Sequence, residues 1–97
     1  MSNVKFIVKG TGEAMEEIRQ KIRKFILDSF LFTAKDDALD NDKSFLQNGI
    51  IDSTGILEVI GFIEEEFGIK VEDEEIVPAN LDSINLISGY ITRKRVS

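Results

Sequence analysis

Residues 48–68 read Asn48-Gly49-Ile50-Ile51-Asp52-Ser53-Thr54-Gly55-Ile56-Leu57-Glu58-Val59-Ile60-Gly61-Phe62-Ile63-Glu64-Glu65-Glu66-Phe67-Gly68. Ile56, Ile60, Ile63 and Phe67 recur at spacings of three and four, broadened by Leu57, Val59 and Phe62. That period predicts an amphipathic helix over 53–67. Gly68 can adopt the left-handed conformation that ends helices. A glycine-containing loop thus delivers the pair Asp52-Ser53 to a helix start. A serine hydroxyl there stands beside free backbone N–H groups and the positive end of the helix dipole, where a phosphate ester on its oxygen is electrostatically favoured. The plainer role for Ser53 or Asp52 is N-capping, since both types are preferred caps. Neither opens a capping box, because Ile56 and Gly55 stand three residues on.

Working outward, residues 13–31 carry a second helical period, with Ile18, Ile22, Phe25, Ile26 and Phe30 on one face. Glu13, Glu16 and Glu17 crowd its start and Lys21, Arg23 and Lys24 follow, the order that suits the helix dipole. Asp82 or Ser83 is expected to cap a last helix with Ile84, Ile87 and Ile91 on one side and Leu86 and Tyr90 beside them. Arg93, Lys94 and Arg95 lie at its C-terminal end. Ile69 and Val71 are expected to anchor a short loop, and residues 73–77 to form one helical turn closed by Pro78. Phe25, Phe30, Phe45, Phe62 and Phe67 are expected in the core, as is the Tyr90 ring with its hydroxyl at the edge. The fold class is therefore all-α: a small four-helix bundle of three longer helices and one short one, with a long loop between helices I and II. The bundle is expected over residues 13–93, between an extended or mobile tail at 1–12 and a C-terminal tail at 94–97. The alternation of Val4, Phe6 and Val8 could make a strand, but no partner strand is apparent.

The loop over 33–51 is long for so small a domain and is expected to be functional or ordered by its own side chains, with Phe45 and Leu46 as anchors. Its acids do not fit a calcium loop. With Asp40 as first ligand, Phe45 falls where the turn glycine belongs and Ile51 where the bidentate acid belongs; from Asp36, the last position is Gln47.

The 97 residues fit one domain, and two zeros in the composition remove much chemistry. Without cysteine there is no disulfide, thiolate nucleophile or Cys-ligated metal; without histidine there is no Ser–His–Asp triad, imidazole acid–base or His-ligated metal. Any thiol chemistry must come from a group attached to the chain. Absence of cysteine is compatible with a reducing cytoplasm, the expected location. No apolar run reaches the length of a membrane span, and the mixed N-terminus shows no secretory signal. Residues 52–77 hold nine acids against Lys70 alone. That field disfavours nucleic acid and steers basic protein surfaces toward it.

The segment 48–68 resembles the prosthetic-group attachment region of acyl carrier proteins. The likeness rests on Asp52-Ser53 at a helix start, then Leu57-Glu58-Val59, Ile63-Glu64-Glu65-Glu66-Phe67 and the acidic run 72–75. It extends upstream to Ser44-Phe45-Leu46 and covers about residues 13–92. The resemblance implies that Ser53 carries 4′-phosphopantetheine through a phosphodiester, installed from coenzyme A by a phosphopantetheinyl transferase. The arm's thiol would hold an acyl or aminoacyl group as a thioester. The chain would then be a monomeric carrier, not an enzyme, serving a loading ligase and downstream acyl-processing enzymes. Asp52 would lie beside the site where the transferase recognises it. Thr54, Glu58, Gly61, Glu64 and Glu65 would face partners, and no metal is implied. Thr54 and Gly55 stand where fatty-acid carriers commonly have Leu and Asp, and Gly61 replaces a larger apolar residue. These departures point to a specialised pathway rather than central fatty-acid synthesis. The competing class is an unmodified helical interaction module with an acidic docking face.

Overall fold

The computed structural model describes residues 15–31 and 39–96. The expected N-terminal tail and the start of the first helix at residue 13 lie outside the described residues. Helix α1 covers residues 15–26. Ile18, Ile22 and Ile26 stand four apart and are all buried, each contributing about 1.5–3 kcal/mol by leaving water. The helix then widens into a π-helical turn, Leu27–Leu31. Residues five apart diverge by about 140° around a regular α-helix. Here Phe25 and Phe30 meet edge-on with ring centroids 6.0 Å apart, because the wider turn brings them to one side.

Side chains order the connection from residue 39 onward. The Arg23 guanidinium donates to the Leu39 carbonyl and the Asn41 side chain. Asp42 accepts the Asn85 amide at 2.6 Å, and the Asn41 carbonyl accepts the Asn85 N–H at 2.9 Å. Leu39, Phe45 and Ile51 are buried. Leu46, expected as an anchor, is instead 49% exposed, and Leu39 takes the buried role. The Asp82 carboxylate explains the exchange: it accepts the Leu46 N–H at 2.9 Å and the Ser44 hydroxyl. It thereby fixes the backbone with Phe45 inward and Leu46 outward.

Helix α2 spans Gly55–Phe67, two residues shorter at its start than the sequence predicts. Its buried line is Gly55, Val59 and Ile63, with Ile56, Ile60 and Phe67 on the flanks and Leu57 64% exposed. The apolar stripe is thus rotated by about one residue from the expected one. Gly68 ends the helix in the left-handed conformation (φ 67°), donating its N–H to the Glu64 carbonyl at 3.0 Å. Val71 is buried beyond it and Ile69 is partly so.

The turn expected at 73–77 is a 3-10 turn, Asp73–Glu75, held by a reciprocal capping box between Glu72 and Glu75. Pro78 does not close it but opens the short helix α3, Pro78–Leu81, where its missing N–H and fixed φ suit a first helical position. Helix α4, Ile84–Val96, follows, so residues 94–96 are its last turn rather than a tail. Ser83, not Asp82, caps it: the Ser83 hydroxyl accepts the Leu86 N–H at 3.1 Å. Ile84, Ile87, Tyr90 and Ile91 are buried, while Leu86 is 41% exposed. Among the described residues the result is an all-helical bundle of three longer helices and one short one, as expected. No helix there is long and apolar enough to cross a membrane.

Of the five phenylalanines expected in the core, only Phe45 is fully buried. Phe25, Phe30, Phe62 and Phe67 are partly buried along the α1–α2 seam. Phe25 stacks on Phe62 at 4.2 Å, and Phe62 meets Phe67 edge-on at 6.0 Å.

Candidate functional site

Ser53 and Thr54 form the turn that delivers the chain into α2, and both are exposed. The Asp52 carboxylate accepts the Gly55 N–H at 2.7 Å, and its carbonyl accepts the Ile56 N–H at 3.1 Å. Asp52 is therefore the side chain that caps α2; Thr54 makes no cap hydrogen bond. The Ser53 hydroxyl has no hydrogen-bond partner among the described residues. It stands in solvent at the positive end of a 13-residue helix, where a dianionic or monoanionic ester gains about 0.3–1 kcal/mol.

The other serines flanking the site differ in kind. Ser44 is bound to Asp82, and Ser83 is buried and engaged as a cap. Among the described serines, exposure, a free hydroxyl and a helix start are combined only at Ser53.

Ser53 also stands on the rim of an apolar cleft of about 170 Å³. Phe45, Ile51, Ile56, Ile76 and Leu81 line it, with Leu46 and Val77 at the mouth. An enclosed apolar cavity of about 150 Å³ accepts a benzene-sized group, and this cleft offers similar room but opens to solvent. Asp82 borders the cleft too, so the carboxylate that fixes Phe45 also shapes this wall.

The remaining candidate residues fall into two groups. Glu58, Gly61 and Glu65 are exposed on α2. Neither Glu58 nor Glu65 has an ion pair or hydrogen bond among the described residues, and a Cβ at Gly61 would meet nothing within 4 Å. Glu64 is half-buried and its Oε2 accepts the Val71 N–H at 2.9 Å. Its neighbour Glu66 pairs with Lys21 at 3.1 Å. Sequence reading missed Leu57 as an exposed apolar side chain one turn from Ser53, and missed Asp82 beside the cleft. Helical phase could have found neither, because each depends on distant partners. No three acids among the described residues stand together as a metal site.

No protein-family model matches the chain. The acyl carrier protein of Buchnera aphidicola subsp. Schizaphis graminum (strain Sg) is 35% identical over 80 residues, covering 82% of this chain and 96% of that protein. The acyl carrier protein of Buchnera aphidicola subsp. Acyrthosiphon pisum (strain 5A) is 35% identical over 82 residues, covering 82% of this chain and all of that protein. Among solved structures, a chain from the crystal structure of an FAD-dependent dehydrogenase superposes with a TM-score of 0.64 at 28% identity. The match covers 72% of this chain and 97% of that one.

Proposed function

The chain belongs to the acyl carrier protein family, a family of carriers rather than enzymes, and on that premise we propose that Ser53 is its site of phosphopantetheine attachment. The observation that carries this reading is the exposed, unpartnered Ser53 hydroxyl at the start of α2. In the modification, the Ser53 oxygen bonds to the phosphorus next to pantetheine in coenzyme A. The pyrophosphate P–O bond breaks, the nucleotide half leaves as its 3′,5′-bisphosphate, and the hydroxyl proton passes to the transferase. When bound, the group supplies the thiol that this cysteine-free chain lacks, and that thiol holds the acyl or aminoacyl cargo.

The chain's own residues supply the rest. Asp52 ties down the first N–H of α2 beside the attachment oxygen and is open to the transferase on its exposed side. Thr54, Glu58, Gly61 and Glu65 make the partner-facing surface, and charge steers basic enzymes to it. Glu64 supports that surface from below, through Val71. The apolar cleft beside Ser53 suits the fit of a short apolar group.

Thr54, Gly55 and Gly61 favour a specialised pathway over central fatty-acid synthesis, and the cytoplasm is its proposed location. The partners are a phosphopantetheinyl transferase, a loading ligase and acyl-processing enzymes.

Intact mass after incubation with coenzyme A and a transferase tests the reading. One phosphopantetheine and one reactive thiol per chain are expected for the wild type, and none for Ser53→Ala. Modification mapped to Ser44 or Ser83 would overturn the site. No modification by any transferase would leave the chain an unmodified interaction module.

A further inference from the structure

Gly55 is the position in α2 where a side chain has no room. A Cβ there would stand 2.9 Å from Phe30 Cε1, 3.0 Å from Ile51 Cγ2 and 3.3 Å from Asp52 Oδ1. Ile51 is buried in the core and cannot yield. Phe30 comes from the π-helical end of α1 and is itself held, edge-on, by Phe25, which stacks on Phe62 of α2. The backbone just after Ser53 is therefore gripped from the core by Ile51 and from α1 by Phe30. Its N–H is held by Asp52 at 2.7 Å.

This grip bears on Ser53 because serine is as good a helix cap as aspartate. Two side chains in this turn compete for the same few N–H groups. If Ser53 won, its hydroxyl would fold back on the helix and leave solvent. In the structure Asp52 wins and Ser53 stands free.

We propose that Phe30 is a positioning residue for Ser53: its ring, packed on Gly55, holds the first turn of α2 in the geometry that keeps Asp52 as the cap and the Ser53 hydroxyl outward. The inference rests on the reading of Ser53 as the attachment site. It also gives Gly55, one of the departures from the fatty-acid carriers, a physical reason, since only glycine admits the ring.

The test compares Phe30→Ala, Phe30→Tyr and Phe67→Ala with the wild type, below the melting temperature of every variant. Phe67 lies at the other end of the same aromatic row, so its loss controls for stability alone. Two quantities are read: kcat and KM for transferase modification, and hydrogen-exchange protection of the Gly55 amide. Because serine and aspartate cap about equally well, the contact with Phe30 decides between them, so Phe30→Ala should lower kcat about tenfold with little change in KM and should reduce Gly55 protection. Phe30→Tyr, which keeps the ring, should restore both, and Phe67→Ala should change neither. Wild-type kcat or wild-type Gly55 protection in Phe30→Ala, or an equal loss in Phe67→Ala, overturns the proposal. A wild-type chain that no transferase modifies would instead overturn the attachment reading, and Gly55 protection would still judge the grip of Phe30.

Discussion

Tyr90 donates its hydroxyl to Glu75 Oε1 at 2.8 Å, joining α4 to the 3-10 turn that precedes α3. The same oxygen accepts the Glu72 N–H and the Lys94 ammonium, each at 3.0 Å. The Glu72 N–H, then Lys94, then Tyr90 hold the Glu75 carboxyl down at about 2. Burial, and then the Glu75 bond, push the Tyr90 hydroxyl well above its ordinary value. Ile76 and Val77, next in the chain after Glu75, line the cleft beside Ser53 together with Leu81.

Glu75 should therefore make stability depend on acid. Its folded value lies below the ordinary 4.5, so the unfolded chain binds the proton first. The stabilisation is complete above 4.5 and is lost as pH falls from there toward 2. Urea unfolding should show Glu75→Gln less stable than wild type at neutral pH, with the gap closing through that window. A gap that stays constant down to the acid end would remove Glu75 as the cause.

Ser88 should be replaceable at a gain. It is wholly buried on α4, and its hydroxyl has no hydrogen-bond partner among the described residues. Leaving a buried hydroxyl unsatisfied costs about 1–3 kcal/mol. Ser88→Ala should raise the unfolding free energy by about 1 kcal/mol. A less stable variant in chemical denaturation would show that the hydroxyl is satisfied in solution.

Asp82 should matter more to the loop than to α4. Its carboxylate holds the Leu46 N–H and the Ser44 hydroxyl, whereas Ser83 caps the helix. Hydrogen bonds to a charged acceptor contribute about 1.5–3 kcal/mol each. Asp82→Ala should cost about 2 kcal/mol overall and unprotect the Leu46 amide in hydrogen exchange. Loss of protection at the start of α4, with Leu46 unchanged, would reverse this assignment.

Glu58 and Glu65 should act on encounter and not on folding. Both are exposed, and exposed charges contribute at most about 1 kcal/mol to stability. Glu58→Lys with Glu65→Lys should leave the melting temperature nearly unchanged. Association with the transferase should slow at low salt, and the effect should shrink as salt screens the field. An unchanged association rate at low salt would take docking away from this face.

Local chemistry alone was enough for much of this. Isoleucines three or four apart specify a buried helix face wherever the chain goes, so Ile18, Ile22 and Ile26, and Ile84, Ile87 and Ile91, were legible as core. Gly68 ends α2 through its own freedom at positive φ. Asp52-Ser53 at a helix start marked the candidate site. Those readings need only neighbours in sequence.

Tertiary structure decided what depends on distant partners. Periodicity fixes a helix face only to about one residue, since each step turns it by about 100°; burial in the assembled core chose Val59 over Leu57. Asp82, 36 residues from Leu46, chose which of two adjacent apolar side chains enters the core. Val71 drew Glu64 out of the acidic row. Asp52 and Ser53 are equal candidates to cap α2 as isolated residues, and the crowding of Phe30, Ile51 and Asp52 around Gly55 is visible only when α1 and α2 meet. A sequence states which groups can bond, but the fold brings one partner within reach and leaves the other hydroxyl free.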